Sequence, residues 1–133
     1  IFSGNVSLEN NGGFASVRNK FDNYSLTKFK IIELRYRTMG YNFAITLENS
    51  QQYYLPYYKH NIPNTNNSWE TIYINLKDFK AFSLGRNLGY NLDKNSKQDI
   101  IRFGFITNEK KAGNYQIEID YIKFKWVWTK NLI

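Results

Sequence analysis

Cysteine is absent from the 133 residues, which excludes a disulfide scaffold, a thiolate-held metal and a cysteine nucleophile. Histidine occurs once, as His60, so no multi-histidine metal cage can form and a histidine-based triad has little to build on. No apolar run approaches the ~20 residues that a bilayer-crossing helix needs. Acidic residues are in the minority, 11 against 18 basic ones, for a net charge of +7. Hydrophobic residues make up 42% and charged residues 22%, a balance unlike that of disordered chains. The length suits one domain spanning 1–133, and such a domain buries roughly two-thirds of the surface its unfolded chain exposes. The sequence starts at Ile1 rather than Met, without a basic-then-apolar leader; a processed or trimmed chain lacking an N-terminal part is the expectation.

A basic excess has two readings. One is an anionic partner such as nucleic acid or a lipid headgroup. The other is compositional drift, since the lysines are scattered from Lys20 to Lys130 and asparagine and tyrosine are also abundant. Only Lys110-Lys111 and Lys123-Phe-Lys125 are locally dense, which favours drift and makes nucleic acid an unexpected partner.

No segment keeps a helical period, whereas several alternate as strands do. Ile32, Leu34 and Tyr36 alternate with Glu33, Arg35 and Arg37; Tyr41, Phe43, Ile45 and Leu47 alternate with Asn42, Ala44, Thr46 and Glu48. Asn11-Gly12-Gly13 is a hairpin signal before 14–19. Further strands are expected at 53–58, 69–76, 100–107 and 115–125, with a turn-rich stretch at 61–68. About eight short strands without a long helix predict an all-β antiparallel sandwich of jelly-roll type. Trp69 is expected to pack into the core at a strand start.

The last strand changes phase. Ile117, Ile119 and Tyr121 share one face, yet the apolar set then moves to Ile122, Phe124 and Trp126. Either a bulge lies here, or Asp120 points inward onto a cation such as Arg18 or Arg102, or the strand leaves the sheet after Tyr121. Arg18 follows the Gly12-Gly13 turn and shares its face with Phe14; it is expected to pair with Asp120 or Glu118 and lock the first hairpin to the last strand.

Three segments resemble one family. They are Phe2-Ser-Gly-Asn-Val-Ser-Leu-Glu-Asn-Asn-Gly-Gly-Phe-Ala-Ser-Val-Arg18; Trp69-Glu-Thr-Ile-Tyr-Ile-Asn-Leu-Lys-Asp-Phe79 with Gly85-Arg86; and residues 101–122, Ile101-Arg-Phe-Gly-Phe-Ile-Thr at their start. Together they are similar to the complex I intermediate-associated protein 30 domain. The resemblance implies a galactose-binding-like β-sandwich, in agreement with the strand pattern. The family's Gly-rich opening, with its Asp-Gly-Val-Met-Gly-Gly-like turn, is not in this chain, and its Gly-Asp-Gly after the third strand is replaced by Thr38-Met39-Gly40.

For function, the resemblance implies assembly work rather than catalysis. The expected protein partner is a respiratory complex I subunit or assembly intermediate, in the mitochondrion of a eukaryote or otherwise in the bacterial cytoplasm. Paired carboxylates for glycosidase chemistry are not in a recognisable motif, and there is no phosphate-cradling loop or dinucleotide fingerprint. An enzyme is therefore not expected, nor a cofactor or catalytic metal. The alternative is a carbohydrate-binding module in which aromatic rings beside polar groups meet a glycan, with 51–58 and its Pro56 edge the most suggestive stretch. Interfaces favour Tyr, Trp and Arg, and Trp126-Val-Trp128 adds an apolar tail. The candidate ligand or partner residues are Arg18, Arg35, Arg37, Tyr53, Tyr57 and Arg86.

Overall fold

A computed structural model describes residues 26–40, 42–52, 54–107 and 116–125 in full, and the backbone alone at 2–6, 15–18 and 113–115. Ten strands are present among them: β1 (Phe2–Val6), β2 (Ala15–Arg18), β3 (Ile31–Met39), β4 (Phe43–Glu48), β5 (Tyr57–Ile62), β6 (Glu70–Asn75), β7 (Lys80–Ser83), β8 (Arg86–Asn91), β9 (Arg102–Thr107) and β10 (Gly113–Lys125). Besides a 3-10 turn at Leu76–Asp78 there is among them one α-helical turn, α1 (Lys94–Lys97), capped by Asp93, whose Oδ1 accepts from Ser96 N at 2.8 Å.

The strands form two antiparallel sheets, β1-β10-β3-β6 and β2-β9-β4-β5-β7-β8. Their inner faces supply the core. From β3 come Ile32, Leu34 and Tyr36, and from β4 Phe43, Ile45 and Leu47, so the alternation of both segments is realised. The expected all-β sandwich is observed. Chain order does not follow sheet order: β1 and β2 lie in different sheets and do not pair with each other, and the Asn11-Gly12-Gly13 signal lies outside the described residues. Likewise β3 and β4 are consecutive yet belong to opposite sheets, the chain passing between them beside Gly40 at φ 91°, a left-handed conformation that glycine adopts without steric cost.

The β10 irregularity is a bulge between Ile119 and Tyr121. Asp120 is the extra residue, and its side chain is 52% exposed, so it does not point inward. The bulge lets Asp120 and Tyr121 both serve the outer face while Ile119 and Ile122 both pack against the core.

Two strand expectations are corrected. The strand expected at 53–58 is β5 at Tyr57–Ile62, beyond Pro56, which has no N–H to give a ladder. Strands β7 and β8 were not foreseen; their turn places Leu84 at φ 50° and Gly85 at φ 82°. The loop after β5 is pinned to the end of β3: Thr38 N donates to Thr65 Oγ1 at 2.8 Å, Thr65 N donates to Thr38 Oγ1 at 2.9 Å, and Asn67 N donates to Thr38 O at 2.7 Å.

Candidate functional site

The outer face of the four-stranded sheet carries the arginines singled out from the sequence. On β3 the outward residues are Glu33, Arg35 and Arg37; Glu33 and Arg35 lie between β10 and β6, and Arg37 is opposite Glu118 of β10 just past the end of the β6 pairing. Arg37 Nε donates to Glu118 Oε2 at 2.5 Å, and Arg35 Nε lies 3.2 Å from Asp120 Oδ2. Glu33 accepts from the Tyr121 hydroxyl and sits 3.1 Å from Lys125 Nζ. Three oppositely charged contacts thus run along one strand pair. The Glu118 carboxyl is held below the ordinary glutamate value chiefly by the Arg37 hydrogen bond, and Glu33 by the Tyr121 hydroxyl.

Trp69, just before β6, stands on the same face at 36% exposure, with the Arg37 guanidinium 4.8 Å and the Arg35 guanidinium 5.6 Å from its ring centroid. It is not core packing at a strand start, as the sequence led us to expect: at that end of β6 its ring has two guanidiniums to lie against. Each cation–π contact contributes about 0.5–1 kcal/mol at such an exposed site. Tyr73, 45% exposed, lies farther along β6.

The expected partners of Asp120 are also corrected. Asp120 pairs with Arg35 and Glu118 with Arg37, while Arg102 pairs with Glu48 in the other sheet. The Arg18 backbone lies in that other sheet too, opposite Gly104, and its side chain falls outside the described residues. Tyr53, Trp126 and Trp128 fall outside them as well.

The outer face of the six-stranded sheet is hollow. Ala44, Thr46 and Gly104 occupy outward register positions and yet are buried. Two adjoining clefts of about 420 and 370 Å³ share Lys59 and Asn61 as lining, and Ala44 lines the larger. Tyr57 and Phe82 face each other across β5 and β7, their ring centroids 6.2 Å apart and planes inclined by 27°. Lys59 Nζ lies 4.1 Å from the Phe82 centroid. Arg86 is exposed at the start of β8, opposite Ser83.

The sequence-derived residues therefore fall into two groups. Arg35 and Arg37 share one outer face with Trp69; Tyr57 and Arg86 belong to the opposite sheet. Arg35 and Arg37 share no face with Thr46, because β3 and β4 separate into different sheets. Sequence reasoning missed Lys59 and Phe82 because their strands carried no apolar alternation. No group of three or more His, Asp or Glu side chains that could hold a metal ion is present among the described residues. No helix among them is long and apolar enough to cross a membrane.

A family model described as Complex I intermediate-associated protein 30 (CIA30) matches residues 1–119. No curated protein matches the sequence. Among solved structures, the chain is similar to the family 11 carbohydrate-binding module of a cellulosomal cellulase of Clostridium thermocellum, with a TM-score of 0.62 and 16% identity over 93% of this chain and 80% of that one. A second structure of the family 11 module from the same organism, in complex with a β-1,3-1,4-mixed-linked tetrasaccharide, gives a TM-score of 0.57 and 17% identity over 93% of this chain and 81% of that one. At these identities the likeness establishes the sandwich fold alone.

Proposed function

Because the chain belongs to the complex I intermediate-associated protein 30 family, we propose that it is a non-catalytic protein-binding module that assists assembly of respiratory complex I, in the mitochondrion where its source is a eukaryote. The supporting observation is Trp69 lying beside Arg35 and Arg37, each arginine already fixed by a carboxylate. Interface hot spots concentrate in Trp, Tyr and Arg, and side chains ordered before contact lose less entropy on binding.

The test uses the immobilised chain and complex I assembly intermediates released by mild detergent from mitochondria of its source. Retention of complex I subunits by the native chain is expected. Trp69→Ala should weaken it by about 2 kcal/mol or more, roughly thirtyfold. Failure to retain any complex I subunit, or retention indifferent to Trp69→Ala, overturns the reading.

A second reading is carbohydrate binding by the hollow outer face of the six-stranded sheet. The Tyr57–Phe82 ring pair beside two clefts favours it, as does the fold shared with a module crystallised with a tetrasaccharide. Saturable binding of a mixed-linked β-glucan oligosaccharide, weakened by Tyr57→Ala and unaffected by Trp69→Ala, is what this reading requires.

A further inference from the structure

The cleft of about 370 Å³ is lined by two lysines that the fold does not neutralise. Lys59 on β5 and Lys80 on β7 are direct cross-strand partners, and like charges placed opposite each other destabilise a sheet. Neither has a carboxylate within ion-pair distance among the described residues. Asp78 also lines the cleft, without an ion pair to either lysine. Lys59 is half-buried, and desolvation holds its ammonium below the usual lysine value. The chain thus sets a half-buried cation, held over the Phe82 ring, beside an exposed second one.

The geometry around the lysines narrows the ligand. Strand β7 begins at Lys80, the partner of Lys59, so His60, Asn61 and Ile62 have no ladder neighbour on that side. Beyond Lys59 that edge of β5 pairs with no strand among the described residues, and the Asn61 carbonyl there meets His60 Nδ1 at 2.7 Å. The Lys59 ammonium lies 4.1 Å from the Phe82 ring centroid, so a cation already occupies one face of that ring. A net charge of +7 adds attraction for an acidic partner.

We propose that this cleft is a binding site for an acidic peptide segment, with a side-chain carboxylate of the segment seated between Lys59 and Lys80. The proposal rests on the protein-binding reading and specifies the chemistry of a partner. It uses a different sheet from the Trp69 face.

The test is fluorescence anisotropy with a labelled peptide of alternating Glu and Val, against the same peptide with Gln for Glu, at low and physiological ionic strength. Saturable binding of the Glu peptide alone is expected, weakened about tenfold or more by Lys59→Met and largely restored by Lys59→Arg. Lys94→Met, at a lysine lining neither cleft, should leave binding unchanged. Lys59→Met should also fold and melt within a few degrees of the native chain, because relief of the like-charge contact with Lys80 offsets loss of the cation–π contact with Phe82. Equal binding of the Gln peptide, indifference to Lys59→Met, or equal loss with Lys94→Met overturns the proposal. So does displacement by inorganic phosphate or polygalacturonate as effective as by unlabelled Glu peptide. Because the probe is synthetic, its failure leaves retention of complex I intermediates standing as a separate result.

Discussion

Arg37 meets two different partners on one surface: its Nε donates to the buried Glu118 at 2.5 Å, and its guanidinium lies 4.8 Å from the Trp69 ring centroid. One side chain therefore links the β3–β10 ladder to the start of β6. Its loss should be felt both in stability and in the surface offered to a partner.

The acid dependence follows from Glu118. Its carboxyl is held below the ordinary value of 4.5, first by the Arg37 hydrogen bond. A carboxyl with a lowered folded value stabilises the fold fully above its unfolded value, and that contribution fades as pH falls through the folded one. Arg37→Met should accordingly lower the melting temperature at pH 7, and the gap from the native chain should narrow below pH 4.5. An equal gap at pH 7 and well below pH 4.5 would show that Arg37 stabilises by packing rather than by this bond.

Leu84 is 64% exposed at φ 50° in the β7–β8 turn. The left-handed region costs an ordinary L-residue about 1–2 kcal/mol, and asparagine tolerates it better. Leu84→Asn should therefore stabilise by ~0.5–1 kcal/mol, raising the melting temperature by about 2–5 °C. A lower melting temperature would mean that Leu84 has packing worth more than its strain.

How much of this was legible depends on where apolar residues alternate. Ile32-Glu-Leu-Arg-Tyr36 and Phe43-Ala-Ile-Thr-Leu47 announce strands because each puts its large apolar side chains on one face, toward the core. The bulge at Asp120 was legible as a phase change, since the side-chain period of two cannot otherwise be broken. Strand β5, Tyr-Tyr-Lys-His-Asn-Ile, was not, because only Tyr58 and Ile62 are buried and polar groups line its outer face. The sorting of β3 and β4 into opposite sheets depends on nonlocal pairing with β10, β6, β9 and β5. That sorting separates Arg35 and Arg37 from Tyr57 and Arg86, and alternation within either strand carries no sign of it.

The bulge makes a deletion test possible. Removing Asp120 leaves Ile119 inward, Tyr121 outward and Ile122 inward, a continuous alternation. The half-exposed Arg35–Asp120 pair is worth about 0–1 kcal/mol, so the deletion should fold and melt within a few degrees of the native chain. Removing Ile119 instead brings Asp120 into an inward position, where an unpaired charge is very costly, and that chain should fail to fold. Circular dichroism distinguishes the two. Equal disruption by both deletions would make the extra residue structurally required.

Tyr36 connects the core to the loop after β5. Its side chain is fully buried, yet its hydroxyl donates to Pro63 O at 2.6 Å, so both polar groups are satisfied. Burial, with a smaller contribution from the Glu70 charge, pushes the phenol up to about 12 from 10.0. A folded value above the unfolded one means that the stabilisation is complete below pH 10 and is lost as pH rises towards 12. The native chain should therefore lose melting temperature across that window. Tyr36→Phe keeps the ring but leaves the Pro63 carbonyl without its donor, a cost of about 1–3 kcal/mol where water does not replace it. The variant should melt lower at pH 7 and lose less between pH 10 and 12, since it has no phenol to ionise there. An alkaline loss equal to that of the native chain would assign the transition to other groups and leave Tyr36 with the Pro63 bond alone.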